Sequence, residues 1–318
     1  MRGLFKRQLV RGSNYRRFTG FGGPICGAIL LATTLLSPLN GYGQGLLGDP
    51  SSTLGGWGKF KLEAGAGFID NPNIKIDNKH YSVTDPNGIS HSLVATETSE
   101  SIKTEQRFLA ATMGMGRALD LFIKVGKFKT QDPFDGEFKP SGGLGFRFSP
   151  PQTGFLNFGF QMQAFYGTSE NNGYDTSVDI LTQTDPKGVH YQITGDGTAK
   201  DQLRLISYDM VLGVGVQNIQ YVRPYAGLLV SFQNRTEKGS FSGQGDFITC
   251  HPTCNASPGT KPITLSWNTD VATDSLIGGV FGLTITPVDW AGMILEGNWA
   301  GGSLGHQSGL MASAFVKF

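Results

Sequence analysis

The last nine residues, Leu310 to Phe318, carry apolar side chains at every second position counted back from the chain's end. A strand has a side-chain period of two, so Phe318, Val316, Ala314, Ala312 and Leu310 share one face while Lys317, Ser313 and Gly309 share the other. One face suits lipid and the other suits water. In hydrocarbon a strand must pair on both edges, and only a closed sheet gives every strand two partners. The alternation therefore predicts the closing strand of a membrane-spanning barrel.

The beginning of the chain fits that destination. The first 43 residues hold six Lys or Arg and no acid, with an apolar run from Pro24 to Leu39 that is too short to span a bilayer with its flanks. Small residues at Gly41-Tyr42-Gly43 precede Gln44, so residues 1–43 read as a cleaved export signal. Arg16-Arg17-Phe18 lacks the serine and apolar residues of a twin-arginine signal. Without the segment's six cations the chain has 20 Lys plus Arg against 25 Asp plus Glu, a net charge of −5. That balance gives no indication of a nucleic-acid partner. Past Gly43 no uninterrupted apolar stretch approaches the length of a spanning helix, which leaves a barrel as the route through a membrane.

Alternating segments are predicted as ten strands: 57–68, 105–116, 120–129, 140–148, 155–167, 203–217, 222–238, 273–286, 291–300 and 308–318. A pairing error of two strands leaves eight and twelve as alternatives. Their connections alternate between short turns and longer stretches, as a barrel with both ends on the periplasmic side requires. The segments 69–104, 168–202 and 239–272 are polar and rich in Asp, Asn, Thr, Ser and Gly, and read as outer loops. Glycine, 46 of 318 residues, is about twice its usual share, in keeping with close strand packing. The organisation expected is an export signal at 1–43, a periplasmic amino-terminal segment at 44–56 and one barrel at 57–318.

Same-parity apolar rows such as Phe158, Phe160, Met162 and Tyr166, or Ala226, Leu228, Val230 and Phe232, are assigned to lipid. Tyr221, Trp290, Trp299 and Phe318 lie near strand ends, where aromatic girdles belong. The opposite parity supplies Lys59, Lys61, Glu63, Lys124, Arg147, Gln161, Gln163, Asp209, Arg223, Glu296 and Lys317. A Lys or Arg facing lipid at mid-bilayer costs about 2 to 4 kcal/mol, so these residues are expected to line the lumen. Ten strands lie close to the size at which a barrel is filled by its own side chains, which predicts a narrow or plugged interior.

The closing strand resembles that of Gram-negative outer-membrane β-barrels. The resemblance implies that Phe318 is read by the barrel-assembly machinery, with periplasmic chaperones and lipopolysaccharide-bearing outer-membrane lipid as further partners. Tyr221-Val222-Arg223-Pro224-Tyr225-Ala226-Gly227 looks like a segment of the small barrels related to OmpA and OmpW. It implies an all-β, antiparallel, up-and-down transmembrane barrel without saying what it does. The expected role is non-enzymatic: a narrow porin-like or structural surface protein whose outer loops meet small solutes or extracellular ligands.

Two constellations carry candidate chemistry. Cys250 and Cys254 lie in one outer segment, and two thiols in an oxidising compartment are expected to form a disulfide. With His251 they leave a fourth metal ligand unnamed, and no metal site is assigned. His306-Gln307-Ser308-Gly309 resembles the His-x-Ser pair of outer-membrane phospholipases and lipid A deacylases, in which imidazole activates the serine. His306 and Ser308 share the parity of Leu310 and would face outward near the outer leaflet, but no orienting acid of that parity is nearby in sequence. A lipid hydrolase built on this pair is the alternative function. His80-Tyr81-Ser82 repeats the spacing, Asp132 and Asp135 are spaced too widely for an omptin-type acid pair, and Asp175, Asp179, Asp185 and Asp196 form no calcium-loop pattern. No nucleotide or haem motif is present, so no cofactor is assigned.

Overall fold

The computed structural model describes residues 48–318 apart from 85–87, 89, 133, 153, 182–189, 218–220, 251–253, 256–260 and 303–304. The export signal expected at 1–43, the turn at 218–220, Asp185 and His251 lie outside the described residues. The strands are β1 (Phe60–Thr84), β2 (Ser90–Gly114), β3 (Leu119–Asp132), β4 (Lys139–Phe148), β5 (Leu156–Leu181), β6 (His190–Val216), β7 (Val222–Cys250), the two-residue β8 (Cys254–Asn255), β9 (Lys261–Val288), β10 (Ala291–Gly302) and β11 (Gly305–Lys317). All but β8 form a ring of 10 antiparallel strands, closed where β11 meets β1 and β9 meets β7. Phe60 and Phe318 exchange backbone hydrogen bonds of 3.3 and 2.9 Å, so the first and last residues of the barrel seal one rim. This rim carries the short turns and is the periplasmic one.

The outer face follows the expected rows. Leu62, Leu109, Leu121, Ile123, Leu144, Phe158, Leu212, Leu228, Phe281 and Leu295 are all exposed and form an apolar belt around the ring. A closed ring with such a belt is a transmembrane β-barrel of outer-membrane type. Trp57, Tyr221, Trp290 and Phe318 are exposed at the periplasmic end. Among the described residues no helix is long and apolar enough to cross a membrane.

The three long outer segments are where the sequence reading fails. Apart from a bend at Gly88, their described residues are strand, not loop. β1, β2, β5, β6, β7 and β9 run for 25 to 29 residues, against 10 to 14 for β3, β4, β10 and β11. A tilted spanning strand needs roughly 9 to 11 residues, so six strands continue well past the bilayer while four stop at its edge. Above the short β10–β11 hairpin, β1 pairs directly with β9 from His80 with Asn268 to Thr84 with Thr264. Above the short β3–β4 hairpin no ladder joins β2 to β5 among the described residues. The extension is thus a six-stranded dome, ordered β5-β6-β7-β9-β1-β2, with a notch over β3 and β4.

Polarity inverts between barrel and dome. In β7, Leu228 and Phe232 face lipid, but further along the same row Asn234, Lys238, Ser242 and Gln244 face water. Phe241, on the inward row, is buried with Tyr81, Val83, Ile193, Ala199, Ile263 and Leu265 in a dome core. Each fully buried side chain of this size contributes about 1.5 to 3 kcal/mol. Register shifts at Asn71/Ile74, Lys103/Thr104, Asn171/Tyr174 and Gln233/Arg235 mark the transition. An extra residue turns the following side chains to the other face. In β5 it carries the even-numbered row from lipid at Phe158 and Met162 to the dome core at Tyr174 and Val178, with Gly173 in the bulge at φ 154°.

Candidate functional site

The lumen concentrates the protein's buried charge. Lys61, Glu63, Lys124, Arg147, Asp209 and Glu296 are each buried on the inward face, as strand parity places them. Arg223 and Lys317 are half-buried nearer the periplasmic rim. Lys59 lies before β1 and is exposed, so it does not line the lumen as expected: the strand starts at Phe60, and pleat parity has no hold on the turn ahead of it. Asp120, Tyr225 and Ser231 belong to the interior as well, though the sequence reading did not single them out.

These groups form hydrogen-bonded clusters across the barrel. Lys61 Nζ donates to Glu63 Oε2 at 2.6 Å, and Ser313 Oγ donates to Glu63 Oε1 at 2.7 Å. Lys124 Nζ donates to Gln163 Oε1 at 2.8 Å, and Gln163 Nε2 donates to Asp209 Oδ2 at 2.9 Å. Ser231 Oγ completes the Asp209 carboxylate at 2.6 Å. Further out, Gln233 Nε2 donates to Gln307 Oε1 at 2.6 Å. Burying a charge is costly unless opposite charge or hydrogen bonds compensate it. Lys61 and Glu63 form an ion pair, while Lys124 and Asp209 are hydrogen-bonded to opposite ends of the Gln163 amide. Lys124 also stands 5.2 Å over the Phe122 ring and 5.7 Å over Phe108.

The periplasmic mouth is stoppered by the chain's own amino-terminal segment. The described part of the segment assigned to the periplasm at 44–56 enters the barrel, with Gly48 to Ser51 buried. Leu54 N donates to both oxygens of Asp120 at 3.1 and 3.0 Å, Arg147 Nη1 donates to Ser52 O at 3.3 Å, and Ser149 Oγ donates to Ser51 O at 2.7 Å. Deepest is Gly48, whose N–H meets Glu296 Oε2 at 2.7 Å beside the Tyr225 hydroxyl, also at 2.7 Å. Three inward glycines make the room. A Cβ on Gly159 would lie 1.9 Å from the Pro50 carbonyl oxygen, one on Gly213 2.1 Å from Pro50 Cγ, and one on Gly215 2.1 Å from Ser51 Oγ. Inward glycines at corresponding heights on adjacent strands were the signal in the sequence that something else occupies their space.

Two small cavities lie among the described residues of the lumen. A cavity of about 40 Å³ lies between the stopper and Lys61, Arg147, Arg223 and Lys317, and a second of about 10 Å³ lies between Glu63 and Lys124. The first holds a water or two, and neither passes a solute. Above the ionic layer Ile102, Phe128, Phe134, Phe165, Leu203 and Leu205 fill the outer end, and the dome core lies beyond them.

The structure does not assemble the His306 and Ser308 pair. His306 is exposed, its Nδ1 3.6 Å from where a Gly301 side chain would begin, and no hydrogen bond joins it to Ser308 among the described residues. Ser308 is opposite Trp299 and, on β1, opposite Asp70, an acid that only the strand register brings there. No group of three His, Cys, Asp or Glu able to hold a metal occurs among the described residues. Cys250 and Cys254 are direct cross-strand partners at the end of β7.

No protein-family model matches the chain, and no curated protein matches it. Among solved structures it is similar to the attachment invasion locus protein Ail of Yersinia pestis, with 11% identity and a TM-score of 0.28 over 82% of this chain and 99% of that one. It is similar also to Neisserial surface protein A, at 12% identity and a TM-score of 0.26 over 82% and 99%. An outer membrane channel from Pseudomonas putida F1 matches at 10% identity and a TM-score of 0.27 over 86% and 100%. At such values the likenesses carry no argument, and the architecture rests on the strand ladders themselves.

Proposed function

We propose that this barrel is a closed, non-enzymatic membrane anchor that presents its β-dome at the cell surface for contacts with other molecules. The observation that carries the reading is the filled lumen, stoppered at one mouth by Gly48 to Leu54, crossed by the Lys124–Gln163–Asp209 layer and capped by apolar clusters. A porin-like role would need a continuous aqueous path, and the cavities of about 40 and 10 Å³ among the described residues are too small to form one. Planar-bilayer recording of the refolded protein tests this: a silent bilayer is expected, and large, stable openings would overturn the closed-anchor reading.

Two finer features belong to the same reading. Directly opposed residues in an antiparallel pair have Cα atoms about 4.5 to 5.5 Å apart, inside the range a disulfide bridges, so Cys250 and Cys254 join in the exported protein. Residues 1–43 are removed on export. Intact-mass measurement of protein taken from membranes, before and after reduction and alkylation, tests both. A mass that includes residues 1–43, or alkylation without reductant, counts against them.

A further inference from the structure

We propose that the outer rim over β2 to β6 binds a phosphate-bearing lipid headgroup of the membrane that surrounds it. This goes beyond the surface-anchor reading and shares with it only the membrane placement. On this side the apolar rows end in cations. Along β3 the outward row runs Leu121, Ile123, Val125 and then Lys127 and Lys129, and along β2 Leu109 is followed by Arg107. Lys127 is directly opposite Arg107, a like-charge pair that costs stability unless an anion compensates it. Arg204 continues the row: Lys127 faces Pro140, Ser141 faces Gly167, and Thr168 faces Arg204. With strands about 4.8 Å apart, the three cations Arg107, Lys127 and Arg204 span roughly 19 Å at one height.

Internal acids neutralise only part of the row. Arg107 Nε meets Glu105 Oε1 at 2.8 Å, and Lys129 Nζ meets Asp135 Oδ1 at 3.4 Å. Lys127 has no ion-pair partner among the described residues. Aromatic rings steady the others: Arg107 and Lys129 lie 4.8 and 5.3 Å from the centre of Phe138, and Arg204 lies 5.5 Å from that of Tyr166. The notch in the dome lies over the same strands, because β3 and β4 stop at Asp132 and Lys139 while β2 and β5 continue. A headgroup standing on the bilayer there meets no further strand of β3 or β4 above it. At the corresponding outer end of β7, β10 and β11 the outward residues are Asn234, Trp299 and Ser308, none of them cationic. A lipid, rather than a soluble anion, is the occupant because the cations continue the rows that touch acyl chains, so one molecule meets both.

The experiment uses the refolded full chain in phosphatidylethanolamine nanodiscs carrying trace fluorescent lipid A, with both phosphates or with both removed enzymatically, and reads lipid retained by the protein at 0.15 M salt. The phosphorylated lipid is retained and the dephosphorylated one is not. Lys127→Gln reduces retention about fivefold and the Lys127→Gln/Arg204→Gln pair about thirtyfold, while Lys59→Gln, at the other rim, changes nothing. Retention by the unmodified protein also falls steeply as salt rises, an arm that needs no variant. Equal retention of the two lipids, a double variant that behaves like its parent, or complete release by inorganic phosphate at matched phosphate concentration would each overturn the proposal. None of these outcomes alters the bilayer recording, so the two readings fail separately.

Discussion

The backbone N–H of Gly48 donates to Oε2 of Glu296, 248 positions further along the chain, at 2.7 Å. The same carboxylate oxygen accepts the Tyr225 hydroxyl at 2.7 Å. One buried acid therefore holds the amino-terminal segment to β10 and β7 at once. Replacing Glu296 by Leu leaves two buried donors without an acceptor, at a cost of about 1 to 3 kcal/mol each. The expected result is a lower temperature for conversion of the compact to the unfolded band on a gel, together with new protease cleavage between residues 48 and 54. A segment that stays protected in Glu296→Leu would show that Asp120 and Arg147 suffice to hold it.

A side chain placed in the glycine cradle should expel the segment without unfolding the barrel. In Gly213→Val the new Cβ would lie 2.1 Å from Pro50 Cγ, far inside van der Waals contact, whereas the strand itself tolerates valine. With Ser51→Cys as reporter, thiol labelling from the periplasmic side is slow in the parent and fast in Gly213→Val. Equal labelling rates would place the segment elsewhere.

The ionic layer should behave as a unit. Lys124→Met leaves Gln163 and the Asp209 carboxylate without their cation, and breaking a buried charge arrangement typically costs about 3 to 5 kcal/mol. The double variant Lys124→Met/Asp209→Asn removes both charges and is expected to recover part of that loss. A double-mutant cycle on the urea unfolding midpoint checks it. Additive losses would mean that the two residues are energetically independent.

Dome and membrane ring should be separable in stability. Phe241 is 1% exposed in the dome core, and Phe241→Ala there costs about 3 to 5 kcal/mol. None of its core partners lies on β3, β4, β10 or β11. The expected outcome is rapid proteolysis of the surface portion on intact cells, with the ring still resisting heat on a gel. Loss of both together would show one cooperative unit.

Much of the ring was legible locally. The alternation ending at Phe318 gave β11 and its faces, and parity alone placed Lys61, Glu63, Lys124, Arg147, Asp209 and Glu296 inside, because a period of two is a property of each strand by itself. It misplaced Lys59, which precedes the first pleated residue. The dome was hidden because its apolar residues face the opposite way from those of the barrel below. In β7 the apolar row ends at Phe232 and a different parity resumes only at Phe241, which in sequence looks like the end of a strand. In β5 a bulge at Asn171/Tyr174 carries the row from lipid to core, and the change of side cannot be seen without the partner strand.

The sequence by itself determined that the chain alternates, that one face of each spanning strand suits lipid and that balanced charges lie on the other, since these follow from neighbours two residues apart. Only the tertiary structure decided what those charges touch. Whether the lumen is open depends on Gly48 reaching Glu296, Lys124 reaching Asp209 through Gln163, and Pro50 settling against Gly159 and Gly213. Such contacts join residues tens to hundreds of positions apart. They exist only once the ring has closed and brought its inward faces within hydrogen-bonding distance.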